Sequence, residues 1–80
     1  MNSSIVVPYR NLSGDSGVVA YEIRPASVIV RFRGGLKYEY TNQSAGASAV
    51  TRMKRLAAGG RGLGTFISQV VRDKYERKFR

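Results

Sequence analysis

The sequence predicts an α+β fold: a three-stranded antiparallel β-meander with two C-terminal α-helices packed on one face. Two observations carry the prediction. Apolar and polar residues alternate between Val18 and Tyr40, the period of half-buried strands. After Tyr40 the apolar period lengthens to helical spacing, and Pro or Gly punctuates each junction.

Residues 1–16 hold Pro8, Asn11, Ser13, Gly14 and Asp15, and read as a flexible N-terminal arm with Ile5–Val7 as a short edge strand. The single domain is expected over residues 17–76, with residues 77–80 as a basic C-terminal tail. Val18–Ile23 is the first strand, with Val19, Tyr21 and Ile23 on one face. Arg24-Pro25-Ala26-Ser27 is a turn, because proline fixes φ and removes a donor.

The next two strands flank Gly34-Gly35 as a hairpin. A two-residue loop opposes Arg33 to Leu36, which interleaves Tyr38 and Tyr40 with arginines. A three-residue loop, Arg33-Gly34-Gly35, opposes Phe32 to Leu36 instead. That register places Val28, Val30, Phe32, Leu36, Tyr38 and Tyr40 on one face, with Ile29, Arg31, Arg33, Lys37 and Glu39 on the other. It hides the most apolar surface and is preferred.

Ala49, Val50, Met53, Leu56 and Ala57 form the inner stripe of a helix from Ser44 or Ser48 to Ala58, ended by Gly59-Gly60. A second helix is expected from Thr65 to Tyr75, with Phe66, Ile67, Val70, Val71 and Tyr75 inside. These stripes and the hairpin face make the expected core.

Eighty residues are close to the lower limit for one self-sufficient core. No cysteine and no histidine occur, so no thiolate or imidazole metal site and no histidine base is available. Asp15, Glu22, Glu39, Asp73 and Glu76 are scattered, and no acid/base pair is recognisable. No enzyme, metal or cofactor is expected. No apolar run approaches the ~18 residues of a membrane helix, and the start of the chain lacks a signal-peptide pattern. A cytoplasmic location is the expectation.

The charge is the largest departure from an average domain: +9 overall, with nine basic and two acidic side chains in residues 42–80. Clustered positive charge favours a polyanion. The candidate nucleic-acid-binding residues are Arg52, Arg55, Arg61, Arg72, Lys74, Arg77 and Lys78. Arginine suits bidentate phosphate contact. Gly62, Gly64 and Thr65 open a helix and form a candidate anion-binding loop. It is not a nucleotide-binding P-loop, because no lysine precedes Thr65. Arg31, Arg33 and Lys37 are a candidate secondary sheet surface. The first expectation is a small non-enzymatic nucleic-acid-binding module, with RNA ahead of DNA. The second is a regulatory interaction module docking on an acidic protein, motivated by an exposed Ile29 beside arginines.

Three pieces of the chain also resemble a known family. They are Tyr38-Glu39-Tyr40 after an apolar strand and glycine turn, Leu56-Ala57-Ala58 at a helix end, and the run from Gly64 to Tyr75. The last reads Gly-x-aromatic-apolar, then Val71-Arg72-x-x-Tyr75, with Ser68 where the family usually has Asn. Together with Tyr21 they resemble a KTSC domain, found at the C-terminus of some lysyl-tRNA synthetases and as small bacterial and phage proteins. The resemblance implies the same α+β fold. RNA binding has been suggested for the family from that fusion, and a phage or mobile-element origin fits its stand-alone members.

Overall fold

The computed structural model describes residues 5–14 and 16–80. Residues 1–4 and Asp15, part of the expected arm, lie outside the described residues. The class is α+β as predicted, but the sheet has five strands rather than three, all antiparallel and adjacent in chain order. They are β1 (Val7–Pro8), β2 (Val18–Arg24), β3 (Ser27–Phe32), β4 (Lys37–Thr41) and β5 (Arg77–Phe79). Between β4 and β5 the chain forms α1 (Asn42–Ala45), α2 (Ala47–Gly59), α3 (Leu63–Phe66) and a π-helical segment, Ile67–Val71.

The central hairpin adopts the three-residue loop. Val28 pairs with Tyr40 and Val30 with Tyr38. The Phe32 N–H donates to the Leu36 carbonyl at 2.9 Å, and the Gly35 N–H donates back to the Phe32 carbonyl at 2.9 Å. Gly34 and Gly35 both take positive φ, 97° and 96°, which side chains with a Cβ rarely adopt. Both tyrosines therefore face the helices with Val28 and Val30.

The two extra strands come from segments read as arm and tail. Val7 and Pro8 pair with Tyr21 and Ala20. Tyr9 beyond them is buried, and its hydroxyl accepts from the Leu63 N–H at 3.2 Å. At the other edge Arg77, Lys78 and Phe79 pair with Glu39, Tyr38 and Lys37, so the expected tail is a strand through Phe79.

One core assignment, Val70, and the shared face of Val19, Tyr21 and Ile23 are corrected. A β-bulge between Val18 and Ala20 shifts the alternation, so Val18 is buried and Val19 is exposed. Tyr21 remains inside, whereas Ile23 near the strand end is largely exposed. Val70 is also exposed, because the wider π turn keeps Ile67 and Val71 inward and rotates Val70 away.

α1 is capped by Thr41, whose hydroxyl accepts from the Ser44 N–H at 2.9 Å while the Ser44 hydroxyl accepts from the Thr41 N–H at 3.0 Å. α2 has Gly46 as its N-cap and no side-chain cap, so Ser48 plays no such part. It ends at Gly60 (φ 75°), whose N–H reaches the Leu56 and Ala57 carbonyls. An added Cβ at Gly60 would lie 2.9 Å from Arg10 Cβ. Arg10 itself donates to the Ala58 carbonyl at 2.8 Å, which ties the N-terminal segment to the helix end. Lys54 donates to the Arg24 carbonyl at 2.6 Å and the Pro25 carbonyl at 3.1 Å, anchoring α2 over the β2–β3 turn. The main core lies between the sheet and these helices, around Val28, Val30, Tyr40, Val50, Met53 and Leu63.

Candidate nucleic-acid interface

The seven basic residues expected to form one surface are distributed over several parts of the fold. Arg77 and Lys78 are neighbours in β5 and therefore project to opposite faces of the sheet. Arg77 lies on the outer face, where its Nε is 2.7 Å from Glu39 Oε1. Lys78 lies on the inner face, with Nζ 6.0 Å from the Tyr75 ring centroid. Arg52 and Arg55 share a shallow concavity on α2 with Ala47, Ser48 and Thr51. Arg52 also stands over the Phe66 ring, 5.9 Å from its centroid. Arg61 is exposed in the link between α2 and α3, and Lys74 is exposed after the π-helical segment.

The outer face of the sheet is more nearly neutral than its arginines suggest. Glu22 and Glu39 sit at its centre, each only 8% exposed. Glu22 is paired with Arg24 at 2.8 Å. Burial pushes the Glu39 carboxyl up, but hydrogen bonds from Arg77 and Ser27 outweigh it and leave the pKa lowered. Ile29 is 6% exposed beside these groups, so the exposed apolar residue expected there does not exist. Long charged side chains cover it: Arg31, Lys37 and Glu22 line the small hollow in which it sits. Of the candidate sheet surface, Arg31 and Lys37 pair across β3 and β4, and Lys37 Nζ lies 5.6 Å from the Phe79 ring centroid. Arg33 belongs elsewhere.

Arg33 stands at the rim of a groove of about 410 Å³ at the end of the inner face. Phe32, Leu36 and Tyr38 of the hairpin form one wall. Ile67, Arg72, Asp73 and Tyr75 form the other, with Tyr40 at the floor. The rings meet edge to face: Phe32 and Tyr38 are 5.2 Å apart at 88°, and Tyr38 and Tyr75 are 5.0 Å apart at 72°. Phe32, Tyr38 and Tyr75 are half-buried, so each packs by one part and lines the groove with another. Tyr40 is 1% exposed and is a core residue. Arg33, Arg72 and Asp73 thus line an aromatic surface that the helices leave open, with Lys78 beside it over the Tyr75 ring.

One wall of this groove is strained. The second helix, expected to reach Tyr75, stops at Val71. Arg72 takes φ 48° and ψ −115°, a conformation outside the allowed regions for a residue with a side chain. Such a residue costs on the order of 1–3 kcal/mol and persists only where its surroundings hold it. Two hydrogen bonds hold it here. The Arg72 N–H donates to the Ile67 carbonyl at 2.6 Å, and the Tyr40 hydroxyl donates to the Arg72 carbonyl at 3.2 Å. Neither Gly nor Pro marks this position, so the sequence carries no local stop signal there.

The candidate anion loop lines a second cavity, of about 260 Å³. Gly62, Gly64 and Thr65 contribute, with Ser13, Ser16 and Ser68. Arg61 does not line it.

No protein-family model matches the chain, and neither does any curated protein or solved structure. The functional reading therefore rests on the groove and its charges. No helix among the described residues is long and apolar enough to cross a membrane.

The groove was legible only in part. The hairpin register points Tyr38 inward, and Arg72 and Lys78 are among the basic residues singled out. Phe32 and Tyr75 read as core, and Asp73 as a solvated acid. Their shared exposure depends on where the second helix stops.

Proposed function

We propose that the protein is a small single-strand nucleic-acid-binding module, with RNA as its ligand and no catalytic activity. The observation that carries this reading is the groove. Half-buried Phe32, Tyr38 and Tyr75 offer ring surface to a base, and Arg33, Arg72 and Lys78 at the margin meet the phosphates on either side. Base–aromatic stacking of this kind contributes about 1–3 kcal/mol per base. Cations around it give a sequence-independent term that weakens with salt. Arg52 and Arg55 on α2 extend the contact to a longer strand. The +9 charge of the chain supplies the long-range attraction. The KTSC resemblance, with its suggested link to RNA, agrees with this reading.

The acidic-protein alternative loses its motivating feature, because Ile29 is buried under charged side chains. The test is a fluorescence-anisotropy titration of the full chain with single-stranded and duplex RNA at several salt concentrations. For a short single strand that reaches only Arg33, Arg72 and Lys78, three phosphate contacts predict a slope of log K against log salt of about −2. Phe32→Leu and Tyr75→Leu keep apolar bulk and remove the ring. Each is expected to weaken single-strand binding about tenfold or more, while leaving the slope in place. Arg33→Ala should reduce the slope by about 0.7. Absence of binding at low salt, or a tighter grip on duplex than on single strands, rejects the proposal.

A further inference from the structure

From the cavity beside the groove we infer a ribose subsite that selects RNA over DNA. The inference rests on the reading of the groove as a base-stacking site. Phe32 is the wall common to both cavities: it lines the groove on one side and the smaller cavity on the other. A nucleotide strand with one base in the groove therefore places a neighbouring sugar at the mouth of the smaller cavity.

The chemistry of that cavity fits a sugar better than a phosphate. Its described lining holds four hydroxyls, from Ser13, Ser16, Thr65 and Ser68, and no charged side chain. The Ser16 hydroxyl accepts from the Val18 N–H at 3.1 Å, and the Ser68 hydroxyl donates to the Thr65 carbonyl at 3.2 Å. These bonds orient both oxygens and leave each with further hydrogen-bonding capacity, since a hydroxyl both donates and accepts. Ser13 and Thr65 are exposed at the rim. A ribose 2′-hydroxyl is likewise both donor and acceptor, and it is the group that separates RNA from DNA. A phosphate, which only accepts at neutral pH, would find no cation here.

Gly64 keeps the cavity open. An added Cβ would lie 2.9 Å from Ser16 Oγ, so any side chain at this position would displace that hydroxyl. Its φ is not positive, so alanine fits the backbone and the change acts on the cavity.

The experiment compares oligonucleotides of one sequence in ribose and deoxyribose form, bound to the full chain and to two variants. The wild type is expected to bind RNA about fivefold to tenfold more tightly than DNA, the effect of one to two net hydrogen bonds. Thr65→Val combined with Ser68→Ala should bring RNA affinity down to the DNA level and leave DNA affinity unchanged. Gly64→Ala should do the same; it also displaces the Ser16 hydroxyl from the Val18 N–H, so circular dichroism checks that the variant is folded before its binding is read. Equal affinity of the wild type for RNA and DNA, with the salt slope retained, overturns the subsite and leaves the groove reading standing. Parallel weakening of RNA and DNA in both variants also overturns it. Failure of the wild type to bind either strand overturns both proposals.

Discussion

Replacing Tyr40 with Phe removes one hydroxyl from a ring that is 1% exposed, and its effect on stability should change sign with pH. At neutral pH the hydroxyl donates to the Arg72 carbonyl at 3.2 Å. A neutral hydrogen bond contributes about 0.5–1.5 kcal/mol net. Arg72 is exposed, so water can partly replace the lost donor, and the cost of Tyr40→Phe is about 1 kcal/mol. For a chain of this size that lowers Tm by about 4–8 °C. Burial, then the neighbouring Tyr38, Tyr75 and Asp73, push the Tyr40 pKa from 10.0 up to about 12.

The native state therefore holds this proton more tightly than the unfolded chain does. The resulting stability is fully present below pH 10 and is lost as pH rises through about 12. The complete loss is on the order of 3 kcal/mol at two pH units, of which roughly half has gone by pH 11. Phe cannot ionise, so Tyr40→Phe is spared this loss. The variant should be the less stable protein at pH 7, equal to wild type near pH 11, and the more stable one above. Guanidinium titrations followed by circular dichroism at pH 7, 10, 11 and 11.5 measure the difference. A wild-type advantage that stays constant to pH 11.5 would refute the buried-hydroxyl argument.

Three further outcomes follow from other parts of the fold. Glu39 has a lowered pKa, so the stability it contributes is present above its unfolded pKa and is lost as pH falls below about 4.5 toward the folded value; Glu39→Gln should flatten this acid limb in thermal melts between pH 6 and 3. Gly60→Ala forces a side chain into positive φ against Arg10 and should cost about 1–3 kcal/mol, whereas Gly59→Ala, in open space at the last turn of α2, should gain up to about 1 kcal/mol; equal effects in denaturant titration would contradict the capping geometry. Arg72→Gly relieves the strained backbone and should stabilise the fold by about 1 kcal/mol while weakening RNA binding, and a variant that is destabilised would show that the strain is absent.

What the sequence reveals of this fold depends on how local each cause is. The hairpin register is local: apolar alternation and a Gly-Gly pair together determine which face Tyr38 and Tyr40 share. The end of α2 is local for the same reason, because Gly60 marks it. β5 is not. Arg77-Lys78-Phe79 has no strand pattern of its own and is ordered by pairing with β4 and by the Glu39–Arg77 bridge. The bulge at Val19 likewise arises from pairing on both sides of β2, and alternation alone chooses the wrong residues. The burial of Ile29 needs its neighbours' long side chains, which a binary pattern counts only as polar. The groove combines both kinds. Its cations and tyrosines are visible as residue types, but their convergence depends on tertiary contacts that stop a helix at an arginine.

That stop accounts for the groove. At about 1.5 Å per residue, a helix continued from Val71 to Tyr75 would extend some 6 Å further along the inner face of the sheet. The chain departs instead at Arg72, and Tyr75 returns against Tyr38 edge to face before β5 begins. A π turn and a positive-φ arginine are both unfavourable locally, and they occur in succession. The buried Tyr40 hydroxyl offsets part of that cost by holding the Arg72 carbonyl. A helix ended by glycine would close the same topology with less strain, but it would leave no guanidinium opposite Arg33. The strain is thus explained by what it positions, an arginine in the wall of an aromatic groove. Rescuing stability with glycine at this position should therefore cost binding.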